Sequence, residues 1–251
     1  MKTHLTILFF IWFSNLALSQ AFKPLEIVRK VFTDRTFQNE ILKNTKLDFK
    51  MLDKNKETAV INLTLTDSLG KGIDTYVHLR NENGWKINAF RALAMTGMLE
   101  QIKNQFENMT DKQIDSMIAT GDEDIKSKED FYYNLKNIKL TLELDDNIIK
   151  HFNDNKKAFE DLRQKIVSLK SKGKDDLNVI LKEDLRKLYL GNLMSRELLC
   201  DECIVLTIGG MIDNTVGYFY LNDQSKLPKM NPAWIIMIRE IGGGWYLFKT
   251  T

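Results

Sequence analysis

Four side chains of this chain stand in one row where they could act together. Asp74, Tyr76, His78 and Arg80 occupy every second position of a β-rich run. Alternate residues of a strand point to the same face, so the four would share one surface. An Asp–His couple there, Asp74 as base and His78 as its orienter, is what general acid–base catalysis by a small-molecule isomerase or hydrolase would use. The competing reading is a solvated face. Ile73, Thr75, Val77 and Leu79 alternate with the polar row and make the better packing side, and on burial preference the sequence favours a wet row with no catalytic residue.

Cys200 and Cys203 form the one cysteine pair. In an exported protein such a pair is expected to be oxidised. On an extended strand, residues three apart lie about 10 Å from each other, beyond disulfide reach, so a bond requires a turn at Asp201 and Glu202. Free thiols are the alternative. A thioredoxin-type redox pair would open a helix, whereas this one precedes the strand-like Ile204–Ile208. A zinc site would need two more ligands, which His78 and His151 would have to supply. His151, beside Phe152, has no acidic or nucleophilic neighbour at a matching offset and reads as structural.

Other chemistry is thinly represented. Gly209-Gly210 and Gly242-Gly243-Gly244 are turn glycines, and no Gly-x-x-x-x-Gly-Lys-Ser/Thr run exists to cradle a phosphate. Asp122-Glu123-Asp124 lacks the glycine and terminal Glu of a calcium loop. No cofactor and no metal is therefore expected. Asn62-Leu63-Thr64 and Asn108-Met109-Thr110 would be glycan acceptors in a eukaryotic host. The 36 Lys and Arg against 34 Asp and Glu give a net charge of +2, with both signs interleaved. A nucleic-acid surface needs a patch of one sign, so no nucleic-acid partner is expected.

Residues 1–19 carry the pattern of a signal peptide: Lys2, the apolar Leu5–Phe13, and the small residues Ala17 and Ser19 before Gln20. The apolar run breaks at Ser14 and Asn15, short of the roughly 20 residues a membrane span needs. Export to a periplasm or the exterior is expected, with no membrane association after cleavage.

Downstream, periodicity divides the chain. Residues 24–43 read as one helix or two short ones, with Pro24 in the first turn. Strands are expected over 47–52, 59–66, 73–80 and 85–91. A charged helical stretch runs from 92 to 142, where Thr110 and Gln113 resemble a capping box. Asp145 or Asp146 would cap a long helix bearing Phe152, Phe159 and Ile166, and a second helix would cover 176–190. Strands over 203–208, 216–221, 233–241 and 245–249 finish the chain. Gly217–Leu221 and Trp234–Ile238 are apolar at consecutive positions, so neither face of that second sheet is made for water. Arg80 through Gly84 to Trp85 and Arg239 through Gly244 to Trp245 repeat one hairpin pattern 160 residues apart, which suggests two related modules.

A helical segment followed by a bent antiparallel sheet ending in a Gly-Trp strand resembles the cystatin-like and nuclear-transport-factor-2-like (NTF2-like) α+β folds. The second half, Asp145–Leu169 with Phe152 and Phe159, then Gly217–Leu221 and Trp245–Leu247, is similar to small exported bacterial proteins of unassigned function. The resemblance implies two α+β domains, each with helices packed on a bent antiparallel sheet of about four strands. They would be a cystatin-like domain over 20–92 and an NTF2-like domain over 143–251, joined by a helical linker over 93–142. Such scaffolds host enzymes and binding modules alike. The expected function is a non-enzymatic binding or interaction protein of the cell envelope, taking an unknown small molecule or protein. Tyr218, Tyr220, Trp234, Met237 and Trp245 would line its ligand surface, with core packing the alternative role for the same side chains. A homodimer through the apolar second sheet is a further expectation.

Overall fold

The computed structural model describes residues 23–34, 44–121, 125–194 and 199–251. The signal-peptide reading, the helical reading of 35–43 and Asp122-Glu123-Asp124 fall outside the described residues.

The first unit begins with α1 (Pro24–Phe32), opened by Pro24 at its first position, with the Glu26 carboxylate accepting the Lys23 N–H at 3.1 Å. Four antiparallel strands follow in sequential order: β1 (Lys46–Lys54), β2 (Thr58–Thr66), β3 (Gly72–Asn81) and β4 (Trp85–Arg91). Their bounds lie within two residues of those read from the sequence. Ile27, Val28 and Phe32 of α1 cover one sheet face, packing on Ala59, Ile61, Leu63 and Leu65 of β2 and Val77 and Leu79 of β3. That is the apolar side of the β3 alternation, as its residue types require.

Helices α2 (Thr96–Glu107), α3 (Asp111–Ala119) and α4 (Lys128–Thr141) come next. Thr110 closes a capping box with Gln113, whose side chain accepts the Thr110 N–H at 2.8 Å. Ile114, Ile125 and Phe131 give this segment a small core of its own. Its last helix docks on the second unit. Asn137 of α4 donates to Tyr189 O at 2.8 Å and Ile208 O at 2.6 Å, and the Tyr133 hydroxyl donates to Leu190 O at 2.6 Å.

In the second unit the one long helix expected from the Phe spacing is two, α5 (Asp145–Asp154) and α6 (Lys156–Ser171). They break at Asn155, whose side-chain amide donates to His151 O at 2.8 Å while its own N–H bonds Phe152 O in a tighter turn. Neither Asp145 nor Asp146 is the cap; Leu144 holds that position, without a side-chain bond. The helix expected over 176–190 is likewise two short pieces, α7 (Leu177–Ile180) and α8 (Lys182–Lys187), which end before Tyr189 in a left-handed conformation at φ 54°. The sheet comprises β5 (Asn192–Leu193), β6 (Ile204–Met211), β7 (Asn214–Tyr220), β8 (Ile235–Gly242) and β9 (Trp245–Thr250), in the order β5-β6-β7-β9-β8.

The architecture is thus α+β with two antiparallel sheets, of four and five strands, and a helical segment between them. Both repeated patterns form hairpins, Asn81 opposite Trp85 and Gly242 opposite Trp245. They are not equivalent. β4 is a sheet edge, leaving Trp85 partly exposed, whereas β9 lies between β7 and β8 and Trp245 is fully buried. One face of the second sheet packs on α5 and α6 through Phe152, Phe159 and Ile166. The opposite face, with Val205, Phe219, Tyr246 and Phe248, packs with Leu199, Cys203, Leu221, Met230 and Trp234 from the connections flanking β6 and β8. Both faces are apolar because this chain covers both.

Candidate functional site

The polar row on β3 is where the structure departs most from the sequence reading. Asp74, Tyr76 and His78 are 6%, 0% and 4% exposed, and Arg80 alone of the four reaches solvent. The expected wet face is instead the seam between the two units. Alternation identifies which side of a strand is polar, but not whether another part of the chain lies over it. Here α5, β8 and β9 do, and Val60 and Tyr76 join the same apolar core as Ile148, Phe152, Ile236 and Met237.

Each buried polar group in the seam has partners. Asp74 accepts from Asn62 Nδ2 at 3.0 Å, Thr64 Oγ1 at 2.6 Å and the backbone N–H of Asp145 at 2.7 Å. The Tyr76 hydroxyl donates to the Asp145 carboxylate, 2.9 and 3.0 Å from its two oxygens. Lys249 Nζ lies 2.8 Å from Asp145 Oδ1, both side chains almost fully buried, and 5.6 Å from the Tyr76 ring centre. At the rim, Asp146 meets Arg239 at 2.5 Å and Lys50 at 3.8 Å. Among the described residues no buried side-chain nitrogen or oxygen lacks a hydrogen-bond partner.

His78 belongs to a separate contact. Its Nε2 lies 3.1 Å from Ile236 O. A carbonyl can only accept, so Nε2 carries the proton. Ile236 is the bulged residue where the β8–β9 register slips between Ile235 and Met237. β8 is also a sheet edge, so this side of it lacks a strand partner. The first unit therefore caps this edge with the His78 donor on Ile236 O, and Arg91 Nε donates to Pro232 O at 2.6 Å in the connection leading into β8.

Burial sets the electrostatics. It pushes the Tyr76 hydroxyl well above its usual range, helped by the Asp145 and Asp74 carboxylates. It also pushes the Asp145 carboxyl up, against the pull of the Lys249 ammonium. His78 is lowered to about 4, first by burial and then by the Arg91 charge, with the Ile236 carbonyl opposing.

The Asp74/His78 couple does not assemble. Four residues along one strand separate the two by about 13 Å, far beyond a hydrogen bond, and each is engaged by a different part of the second unit. Neither residue lines the groove at the β2–β3 turn or the cleft between α6 and α8. What this arrangement can do is hold: it anchors a helix end, a sheet edge and a buried ion pair across one seam.

The residues expected to line a ligand surface divide. Tyr218, Trp245 and Met237 are fully buried. Tyr218 donates to Ile148 O at 2.8 Å and Trp245 Nε1 to Glu160 at 2.7 Å, while Phe152 and Phe159 pack against both rings. They form the helix–sheet core. Tyr220 is half-buried beneath Arg163, whose guanidinium sits 4.6 Å from the ring centre, and Trp234 is half-buried over the outer sheet face. Cys200 and Cys203 are disulfide-bonded, their Cα atoms 5.4 Å apart across a turn at Asp201 and Glu202. His151 is structural, with Nε2 3.0 Å from Leu188 O. Among the described residues no three His, Cys, Asp or Glu are grouped to hold a metal ion, and no helix is long and apolar enough to cross a membrane.

A groove of about 430 Å³ opens where the β2–β3 turn meets the helical segment and the start of α5. Its lining combines Gly70 and Gly72, the apolar Leu142 and Leu144, and the charged Lys71, Lys103, Lys139, Glu100, Glu107 and Glu143. Glu100 pairs with Lys71 at 3.1 Å and Lys103 at 2.9 Å, and Lys139 pairs with Glu107 at 2.8 Å. A Cβ at Gly72 would stand 3.0 Å from Leu144 Cδ1 and 3.1 Å from Leu65 O, a tight approach of this turn to the residue before α5. Sequence reasoning missed the groove because its lining comes from three separate stretches, 70–72, 100–107 and 139–147. It also missed Lys249, although a lysine in phase with Trp245 and Leu247 on a packed strand signals a buried carboxylate.

No family model, no curated protein and no solved structure matches this chain.

Proposed function

We propose that this is an exported, non-enzymatic binding or interaction protein of the cell envelope, and that the groove between the Gly70–Gly72 turn, the Glu100–Glu107 stretch of α2 and the approach to α5 is its binding seat. The observation that carries this reading is the fate of the polar row. The one acid–base couple in the sequence is sealed in a seam with every group engaged, whereas the groove is open and lined by polar side chains of both signs. A site whose lining joins paired Lys and Glu with Leu142 and Leu144 suits a polar ligand or protein segment carrying both charges. Tyr218, Met237 and Trp245 serve the core in this reading, and the outer face of the second sheet is occupied by the chain itself.

Native mass spectrometry of the purified protein, followed by ligand-observed NMR with charged metabolites and short peptides, tests it. Binding to the wild type that is lost in Asn104→Trp, which fills the groove from an exposed position on α2, supports the assignment. Binding unaffected by Asn104→Trp, or turnover of any ligand abolished by His78→Gln, overturns it.

A further inference from the structure

We propose that the seam between the two units is an acid-sensitive joint, kept shut while His78 is neutral and loosened when that side chain takes a proton. His78 is 4% exposed, lies between sheets rather than inside either core, and spans them through one hydrogen bond to the bulge carbonyl of edge strand β8. Protonation leaves that bond intact, because Nε2 already carries a hydrogen. The cost lies in the new charge.

Among the described residues no acidic group acts on His78; Asp53 of β1, in register with Val60, lies one strand further off and is exposed. Across β2 the residue opposite His78 is Val60, and across β4 it is Ala89. Arg91 on β4 is the charge that acts on His78, and it repels. On the strand itself Asp74 is four residues away and committed to Asn62, Thr64 and the start of α5, while Tyr76 is bound to Asp145. From the second unit, Arg239 of β8 and Lys249 of β9 are paired with Asp146 and Asp145. A protonated His78 would be a buried cation beside a second cation.

Opening the seam returns His78 to water and to its ordinary titration near 6.5, against about 4 when closed. The closed form is therefore disfavoured progressively as pH falls from 6.5 toward 4, and the effect is level below that. Between pH 7 and 4.5 the opening equilibrium gains on the order of 50-fold from this one group. Asp145, whose carboxyl is raised by burial, works in the opposite sense, since the closed form then binds its proton more readily. A comparison that keeps Asp145 and changes only His78 isolates the effect.

The test uses a Val60→Cys reporter on the seam side of β2 and a Val28→Cys reporter in the core under α1, both buried. Pulsed labelling uses a dithiodipyridine that reacts at low pH, with rates normalised to the unfolded chain, in His78 and His78→Gln backgrounds. The expected result is a rise on the order of 50-fold at position 60 between pH 7 and 4.5, a much smaller rise in His78→Gln, and continued protection at position 28. Equal pH profiles in the two backgrounds, or equal exposure of both reporters, would overturn the proposal. If His78→Gln does not fold, an NMR titration of the wild-type His78 ring decides. A midpoint near 4 in the closed protein supports the joint, and a midpoint near 6.5 with unchanged spectra refutes it.

Discussion

The carboxylate of Asp74 caps the first turn of α5 from another sheet, accepting the Asp145 N–H at 2.7 Å across 71 residues of sequence. Helices leave their first N–H groups unpaired, and a local Ser, Thr, Asp or Asn usually takes one of them. Leu144 holds the cap position here and cannot. The helix end and the sheet thus complete one another, and Asp74 also sits at the positive end of the helix dipole.

Replacing Asp74 by Ala removes that cap and strands Asn62 Nδ2. A loss of about 2–4 kcal/mol is expected, from one cap and one or two unmade buried hydrogen bonds. Asp74→Asn should cost less, because one oxygen still accepts. Chemical denaturation of the three proteins checks the order, and an Asp74→Ala protein as stable as wild type would remove Asp74 from this role.

Lys249 and Asp145 form a pair whose two halves are both buried. Lys249→Met leaves Asp145 uncompensated and should destabilise by about 3–5 kcal/mol, while Asp145→Asn with Lys249→Met should recover much of the loss. A double-mutant cycle measures the coupling. Additive losses would mean that the ammonium and carboxylate do not act on each other.

Tyr218→Phe probes whether this residue is core or ligand surface. Its hydroxyl meets Ile148 O inside the helix–sheet packing, so the change should cost about 1 kcal/mol of stability. Ligand binding measured by native mass spectrometry should not move. Loss of binding without loss of stability would return Tyr218 to the ligand surface.

Gly217 lies where a Cβ would overlap Leu206 O and come within 2.8 Å of Thr207 Cα. Both obstacles are backbone of the neighbouring strand, which cannot swing aside. Gly217→Ala should therefore cost about 1–3 kcal/mol or more through overpacking, read from the thermal midpoint.

Reducing the Cys200–Cys203 disulfide should cost about 2 kcal/mol at most, since the closed loop is very short. The effect should concentrate where residues 199–203 cover the outer sheet face and Glu202 pairs with Lys226. Hydrogen exchange would show faster opening of β6 near Ile204 and Val205 with the seam unchanged. Uniform destabilisation of both sheets would contradict that placement.

Local pattern by itself determined the four strands of the first sheet, four of the five in the second (the two-residue β5 was missed), the two Gly-Trp hairpins, the Thr110 capping box and the α+β class. Each is specified within about ten residues, by alternation, turn glycines or cap spacing. The same periodicity ran two helices together at Asn155, because a side chain that takes its own helix's carbonyl leaves the apolar stripe unchanged. The site was legible only as a list of side chains. That Asp74 would meet a helix end 71 residues away, and His78 a bulge carbonyl 158 residues away, depended on one sheet being laid over the other. Alternation marked that strand face as polar. Only tertiary packing decided that the polar face would be dry, because burying Asp74, Tyr76 and His78 is tolerable only when the opposite surface already holds Asp145, Lys249 and the open edge of β8 in place to meet them.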